Sequence, residues 1–185
     1  MNKFYTGIGS RSTPSSVMAK MTEVGFSLAN EGYVLRSGKA EGADKAFQLG
    51  VQESFLLSGG VKPTTEAEIY IPWPNFKGGI NLWDSWDKLP NNREECYKIA
   101  SEIHPVWGKL SQGARKLHGR NVCQILGNYL PEVEASDFVL YYAEEDRQGN
   151  PKGGTRTAVL LAKKYNIPTI NMLHEDWEDK LKGVL

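Results

Sequence analysis

At 185 residues, with 22 basic and 22 acidic side chains, the chain is of one-domain size and carries no net formal charge. That balance argues against broad electrostatic binding of nucleic acid, while 40% hydrophobic and 24% charged residues are ordinary for a soluble globular protein. No apolar run approaches the roughly 18 residues of a membrane span, and two cysteines, Cys96 and Cys123, make neither a disulfide framework nor a clustered zinc site.

Lys3 to Ile8 is a β-prone run that ends in Gly7-Ile8-Gly9-Ser10-Arg11. It lacks the long apolar region of a signal peptide, so a cytoplasmic protein with reduced thiols is expected. Ser12-Thr13-Pro14 marks a helix start, and Val17, Met21, Val24 and Leu28 recur at helical spacing. Asn30-Glu31-Gly32 closes that helix, and Tyr33-Val34-Leu35-Arg36 returns to a strand. The second strand runs into Ser37-Gly38-Lys39-Ala40-Glu41-Gly42-Ala43-Asp44, followed by a helix that buries Ala43, Ala46, Phe47 and Gly50. Ser58 to Thr65 reads as a flexible connection, and Glu68 to Ile71 as the third strand.

Residues 73 to 92 form an irregular aromatic loop in this reading, containing Trp73, Phe76, Trp83 and Trp86. A loop of that length in a compact domain is usually functional or mobile. Its aromatics suit either closure over a base or sugar, or simple coverage of the core. Glu94 to Ile103 is helical. A second amphipathic piece from about Val106 to Leu117 and a third from about Asn121 to Leu126 flank Gly119-Arg120. Asp137 to Tyr142 is the fourth clear strand, with Ala143 to Lys152 as an exposed loop behind it. Gly153-Gly154-Thr155-Arg156-Thr157-Ala158 then opens a helix, Pro168 to Met172 is the fifth strand, and Glu175 to Leu181 a terminal helix.

Strands alternating with helices predict a Rossmann-like open, mainly parallel α/β sheet with helices on both faces, in one domain spanning 1–185. Ligands of such sheets bind beyond the carboxyl ends of the strands, near a topological switch point. Three glycine-bearing turns fall at predicted strand ends or helix starts. A helix N-terminus offers free amides and a positive dipole end to an anion. Arg11 and Arg156 add planar cations, and Ser10, Thr155 and Thr157 add hydroxyl donors. The expected ligand is therefore a phosphorylated nucleoside, contacted by Gly9, Ser10, Arg11, Ser37, Gly38, Gly153, Gly154, Thr155, Arg156 and Thr157. Trp73, His118, Arg120 and Asn121 are candidates for its base or ribose. Thr13 stands where a dinucleotide fingerprint needs its third glycine, and no glycine–lysine–serine phosphate loop exists. His104, His118 and His174 are scattered without metal-ligand spacing, so neither metal nor cofactor is expected.

Taken together, Gly7-Ile8-Gly9-Ser10-Arg11, Ser37-Gly38-x-Ala40-x-Gly42-Ala43-Asp44 and Gly153-Gly154-Thr155-x-Thr157-Ala158 resemble the SMF/DprA–LOG (SLOG) superfamily of Rossmann-like nucleotide-binding domains. Ile69 to Trp73, with Arg120-Asn121 ahead of Gln124 to Gly127, resembles the single-domain DprA-like proteins frequent in bacteriophage genomes. The resemblance implies three branches of function. One is single-stranded DNA binding of the DprA kind, which zero net charge disfavours. The second is phosphoribohydrolase activity of the Lonely Guy kind, cleaving a nucleoside monophosphate. There the signature Pro-Gly-Gly-x-Gly-Thr-x-x-Glu supplies a carboxylate at the ribose, and Leu160 stands in its place here. Glu41 and Asp44 are the substitute catalytic carboxylates in that branch. The third branch, which the missing glutamate favours, binds a nucleotide or nucleotide-derived signal without turning it over, as a phage protein sequestering a host defence signal would. The superfamily also implies a homo-oligomer.

Overall fold

A computed structural model describes residues 3–59, 67–77 and 86–185. Within them the strands are β1 (Lys3–Gly9), β2 (Tyr33–Gly38), β3 (Ala67–Tyr70), β4 (Asp87–Lys88), β5 (Phe138–Tyr142) and β6 (Thr169–Asn171). The helices are α1 (Ser15–Asn30), α2 (Ala43–Leu57), α3 (Arg93–Ile103), α4 (Gln112–Leu126), α5 (Thr155–Lys164) and α6 (Trp177–Lys182). The sheet order is β4-β3-β2-β1-β5-β6, and every described pairing is parallel. This is the predicted Rossmann-like α/β fold.

The sheet is buried on both faces, so its strands feed alternate side chains to two cores. Along β5, Phe138 and Leu140 join Tyr5, Leu35, Met21, Phe47 and Leu181 on the α1, α2 and α6 side. Val139 and Tyr141 join Ile8, Ile99, Val122, Ile125 and Val159 on the side of α3, α4 and α5. That double coverage explains why β5 reads as an unbroken apolar run rather than an alternating one. Tyr5 stacks on Phe138 at 5.8 Å between ring centroids and meets Phe47 edge-on at 6.2 Å. No helix among the described residues is long and apolar enough to cross a membrane.

Three expectations are corrected. The predicted interruption at Gly119-Arg120 does not occur, because α4 runs unbroken through both residues. Gly119 is there for packing: a methyl group on it would lie 2.6 Å from the Tyr97 ring of α3. Between α3 and α4 the chain makes a 3-10 turn at Trp107–Lys109 in place of the predicted longer helical piece. Second, the aromatic loop contains β4, which pairs with Ile69 and Tyr70 and extends the sheet. Trp86 beside it is buried and meets Phe55 edge-on at 6.2 Å, so it covers the core, whereas Trp83 lies outside the described residues. Third, the loop after β5 is pinned rather than simply exposed. Glu145 bridges Pro151, and Asn171 donates to Ala143 O at 2.9 Å and to Glu145 at 2.8 Å. The connection from Ser58 to Thr65 lies mostly outside the described residues.

Candidate functional site

After β1 the chain passes to β2, β3 and β4 on one side, then returns to place β5 and β6 on the other. Adjacent loops therefore diverge at the carboxyl ends of β1 and β5, the switch point where ligands of this architecture bind. A cavity of about 500 Å³ opens there, within the usual range for a small-molecule site. Ile8, Gly9, Ser10, Arg11 and Ser12 line it from β1, and Ala40 and Asp44 from the turn into α2. Lys152, Gly153, Gly154 and Thr155 enter from the start of α5, Phe76 and Lys77 from the loop after β3. α4 supplies Ala114, Leu117, His118, Arg120, Asn121 and Gln124.

Two close approaches build this cavity. Gly42 has φ +82°, and a methyl group on it would meet Ser10 O at 2.5 Å, so the first two glycine turns can touch only with glycine there. Gly38 lies so close to the Arg120 guanidinium and the Gln124 amide that any side chain would displace both. The backbone ends of β1 and β2 thus form the floor, and α4 closes over it. The exposed lining residues Arg11, Lys77 and Lys152 stand at the rim, with Gly153 and Gly154 at the N-terminus of α5.

The floor is polar and buried. Asp44 is 4% exposed, and burial pushes its carboxyl up to about 6, against the pull of Arg120 and of the Gly9, Ala40 and Gly38 amides. Arg120 donates from Nε to Asn121 Oδ1 at 3.0 Å and from Nη1 to Tyr70 O at 3.0 Å, and burial lowers its pKa. Asn121 in turn donates to Gly154 O at 3.3 Å, tying α4 to the α5 turn. Gln124 is 1% exposed, and its Nε2 has no partner among the described residues. His118 packs on His104 at 4.5 Å, and burial followed by the nearby His104 and Arg120 charges brings it down to about 4. It is neutral at neutral pH, and its buried Nδ1 is likewise without a partner among the described residues.

Gly9, Ser10, Arg11, Asp44, His118, Arg120, Asn121, Gly153, Gly154 and Thr155 of the sequence candidates share this cavity. The others stand elsewhere. Ser37 is buried and donates to Gly7 O at 2.5 Å, joining β1 to β2, and Gly38 lies beneath Arg120. Glu41 is exposed beside Lys45 at 3.3 Å, away from the cavity lining. Trp73 meets Phe76 edge-on at 5.0 Å and so backs a lining ring. Arg156 pairs with Asp146 at 2.9 Å, and Asp146 also accepts from the Gln148 and Asn150 amides; this pair stitches the β5 loop to α5. Thr157 is buried in the first turn of α5, outside the cavity lining. Among the described residues there is no cluster of His, Cys, Asp and Glu fit for a metal.

Sequence reasoning missed Gln124, Phe76, Lys77 and Lys152 as lining residues. The signal for Gln124 was present, because Ala114, Leu117, His118, Asn121 and Gln124 follow helical spacing along one face of α4. A break placed at Gly119 cuts that face in two.

The Asp44 carboxyl carries a pH dependence. Its folded-state pKa lies above that of an unfolded aspartate, so the native chain binds the extra proton between about pH 4 and about pH 6. Stability from this group is full below that window and is lost as pH rises through it. The difference amounts to about 3 kcal/mol. Thermal denaturation from about pH 4 to about pH 7 should show the loss in the native chain and a flatter profile in Asp44→Asn. Parallel profiles would refute the buried, protonatable carboxyl.

No protein-family model matches the chain, and no curated protein matches it in sequence. Solved structures do share its architecture. The structure of the Chlamydomonas rheinhardtii Moco carrier protein superposes with a TM-score of 0.50 at 14% identity, over 92% of this chain and 76% of that one. DNA processing protein A from Helicobacter pylori, described for its unique single-stranded DNA binding mode, superposes with a TM-score of 0.52 at 17% identity, over 99% and 74%. At such identities the likeness is one of fold: the chain is a Rossmann-like α/β protein whose architecture is similar to theirs.

Proposed function

We propose that the chain binds a phosphorylated nucleoside, or a signal molecule derived from one, in the switch-point cavity and holds it intact. One observation carries the reading. The cavity joins a cationic rim, Arg11 and Lys77 with Lys152 paired to Glu144 at 3.3 Å, around the α5 N-terminus, to a buried polar floor where Gln124 Nε2 has no partner among the described residues. Free helix amides with cations favour an anion at the rim. A buried amide left unmatched costs free energy that a ligand can recover. Phe76, Ala114 and Leu117 offer an apolar wall for a ring between these ends. Sequestration of such a molecule, in a homo-oligomer, is the use that agrees with the bacteriophage-type resemblance.

Hydrolysis of a nucleoside monophosphate is the second reading, favoured by Asp44 with its raised pKa. Glycoside hydrolysis ordinarily uses two carboxylates flanking the bond. Asp44 is the sole carboxylate lining the cavity among the described residues, which supports binding over turnover. Single-stranded DNA, which the Helicobacter pylori neighbour binds, is the third.

Thermal shift with nucleoside monophosphates, cyclic dinucleotides and ADP-ribose-like compounds tests this reading. A ligand at 100 times its Kd stabilises by about 2.7 kcal/mol, a readily measured rise in Tm. Chromatography of the incubated compound should return it unchanged. Release of free base, lost in Asp44→Ala, would establish the hydrolase instead. No shift from any phosphorylated compound, together with a gel shift on single-stranded DNA, would overturn the nucleotide reading.

A further inference from the structure

We infer that the cavity floor reads the vicinal diol of a ribose, with Asp44 and Gln124 as the specificity-determining residues. This rests on the nucleotide reading above and assigns the ligand to ribonucleotides rather than deoxyribonucleotides.

The argument is one of matching donors and acceptors. Asp44 supplies a buried acceptor held in place by the Gly9, Gly38 and Ala40 amides. Beside it stand Arg120 and the unpartnered Gln124 amide, brought together over Gly38. A phosphate is unsuited to this floor because Asp44 would repel it. A purely apolar group would leave the buried Gln124 amide without a partner, at a cost that disfavours it. The group that fits is neutral and both donates and accepts. Two adjacent hydroxyls do this: the 3′-hydroxyl donates to the carboxylate while the 2′-hydroxyl accepts from the amide.

The division of the cavity lining separates a sugar from a base edge. Ala114, Leu117 and His118, on the first two turns, face the cavity together with Phe76 and form its apolar and aromatic part. Asn121, further along, holds Gly154 of the α5 turn, where an anion is favoured. The Arg120 and Gln124 floor serves the part of the ligand that is neither flat ring nor phosphate. In a nucleotide that part is the sugar.

Titration calorimetry on the full chain tests the inference, using the four ribonucleoside 5′-monophosphates against their 2′-deoxy counterparts. The ribose form of whichever base binds should be at least about tenfold tighter, the usual effect of losing a hydrogen bond to a charged group. Gln124→Met, which keeps the side-chain length, should bring the ribo-to-deoxy ratio toward one with little change in affinity for the deoxy form. Equal binding of both sugars by the native chain would overturn the diol assignment and leave the nucleotide reading standing. Equal weakening of both sugars in Gln124→Met would show a structural amide and also overturn it. If neither these pairs nor any compound of the thermal-shift panel binds, the nucleotide reading itself fails and the diol assignment falls with it.

Discussion

Replacing Arg36 by methionine should lower the stability of the chain by about 3–5 kcal/mol, the usual cost of removing one partner from a buried ion pair. The Arg36 side chain is fully buried on β2. It donates to Glu68 on β3 at 2.8 Å and to Glu134, in the connection between α4 and β5, at 3.0 Å through Nη2 and again at the backbone carbonyl. Its guanidinium also lies 3.7 Å over the Phe4 ring. The two carboxylates are not equal. Glu134 is half exposed, so its pair contributes little, whereas Glu68 is 16% exposed and also accepts from the Tyr70 hydroxyl at 2.8 Å. Most of the loss therefore comes from leaving Glu68 charged and poorly solvated. At about 2–4 °C per kcal/mol for a chain of this size, Tm should fall by roughly 6–20 °C. Adding Glu68→Gln should recover much of it, because the stranded charge is then gone. A loss below about 1 kcal/mol by urea denaturation would show that the pair is solvated after all.

Arg36 also marks where the sequence stops being readable. In Tyr33-Val34-Leu35-Arg36 it looks like a charge at a strand's end, and its partner Glu134 lies 98 residues away. Local pattern carries no trace of such a pairing. What is legible follows from short-range periodicity and turn chemistry. The apolar stripe of α1, the closing glycine at Gly32 and the unbroken run of β5 each report burial within a few residues. The strand–helix alternation then leads to the fold and to the sheet edge that holds the cavity. β4 was hidden because two residues paired to β3 leave no period. Gln124 was hidden for a different reason. Glycine in a helix costs about 1 kcal/mol against alanine, so Gly119 reads as a break unless the Tyr97 ring it admits is known. Arg156 is the reverse case. Its place in a phosphate-like turn makes it look free for a ligand, but Asp146 ten residues before it accepts its guanidinium.

Gly154→Asp should abolish anion binding while leaving the fold as stable as before or more so, and the opposite signs are what make the test sharp. Gly154 is the residue before the first turn of α5, with φ −65° and ψ −24°, angles open to any residue. A methyl group built on it meets nothing within 4 Å, so a short side chain fits without repacking. No side chain caps α5 at present. An aspartate there would complement the positive end of the helix dipole, worth about 0.3–1 kcal/mol of stability. It would also put a negative charge where the phosphate is proposed to lie. At about 4 Å and an effective dielectric of about 20, each pair of like charges costs about 4 kcal/mol. Every 1.4 kcal/mol is tenfold in affinity, so binding should weaken by about 100-fold or more. Gly154→Ala is the control: it adds the same first carbon without charge and should bind close to normally. Calorimetry with the ligand found in the nucleotide panel, alongside a melting curve for each variant, reads both signs at once. If Gly154→Asp is stable and binds as the native chain does, the ligand's anion lies elsewhere than the N-terminus of α5. If both variants lose binding equally, the backbone at Gly154 approaches the ligand too closely for any side chain, and sterics rather than charge sets the site.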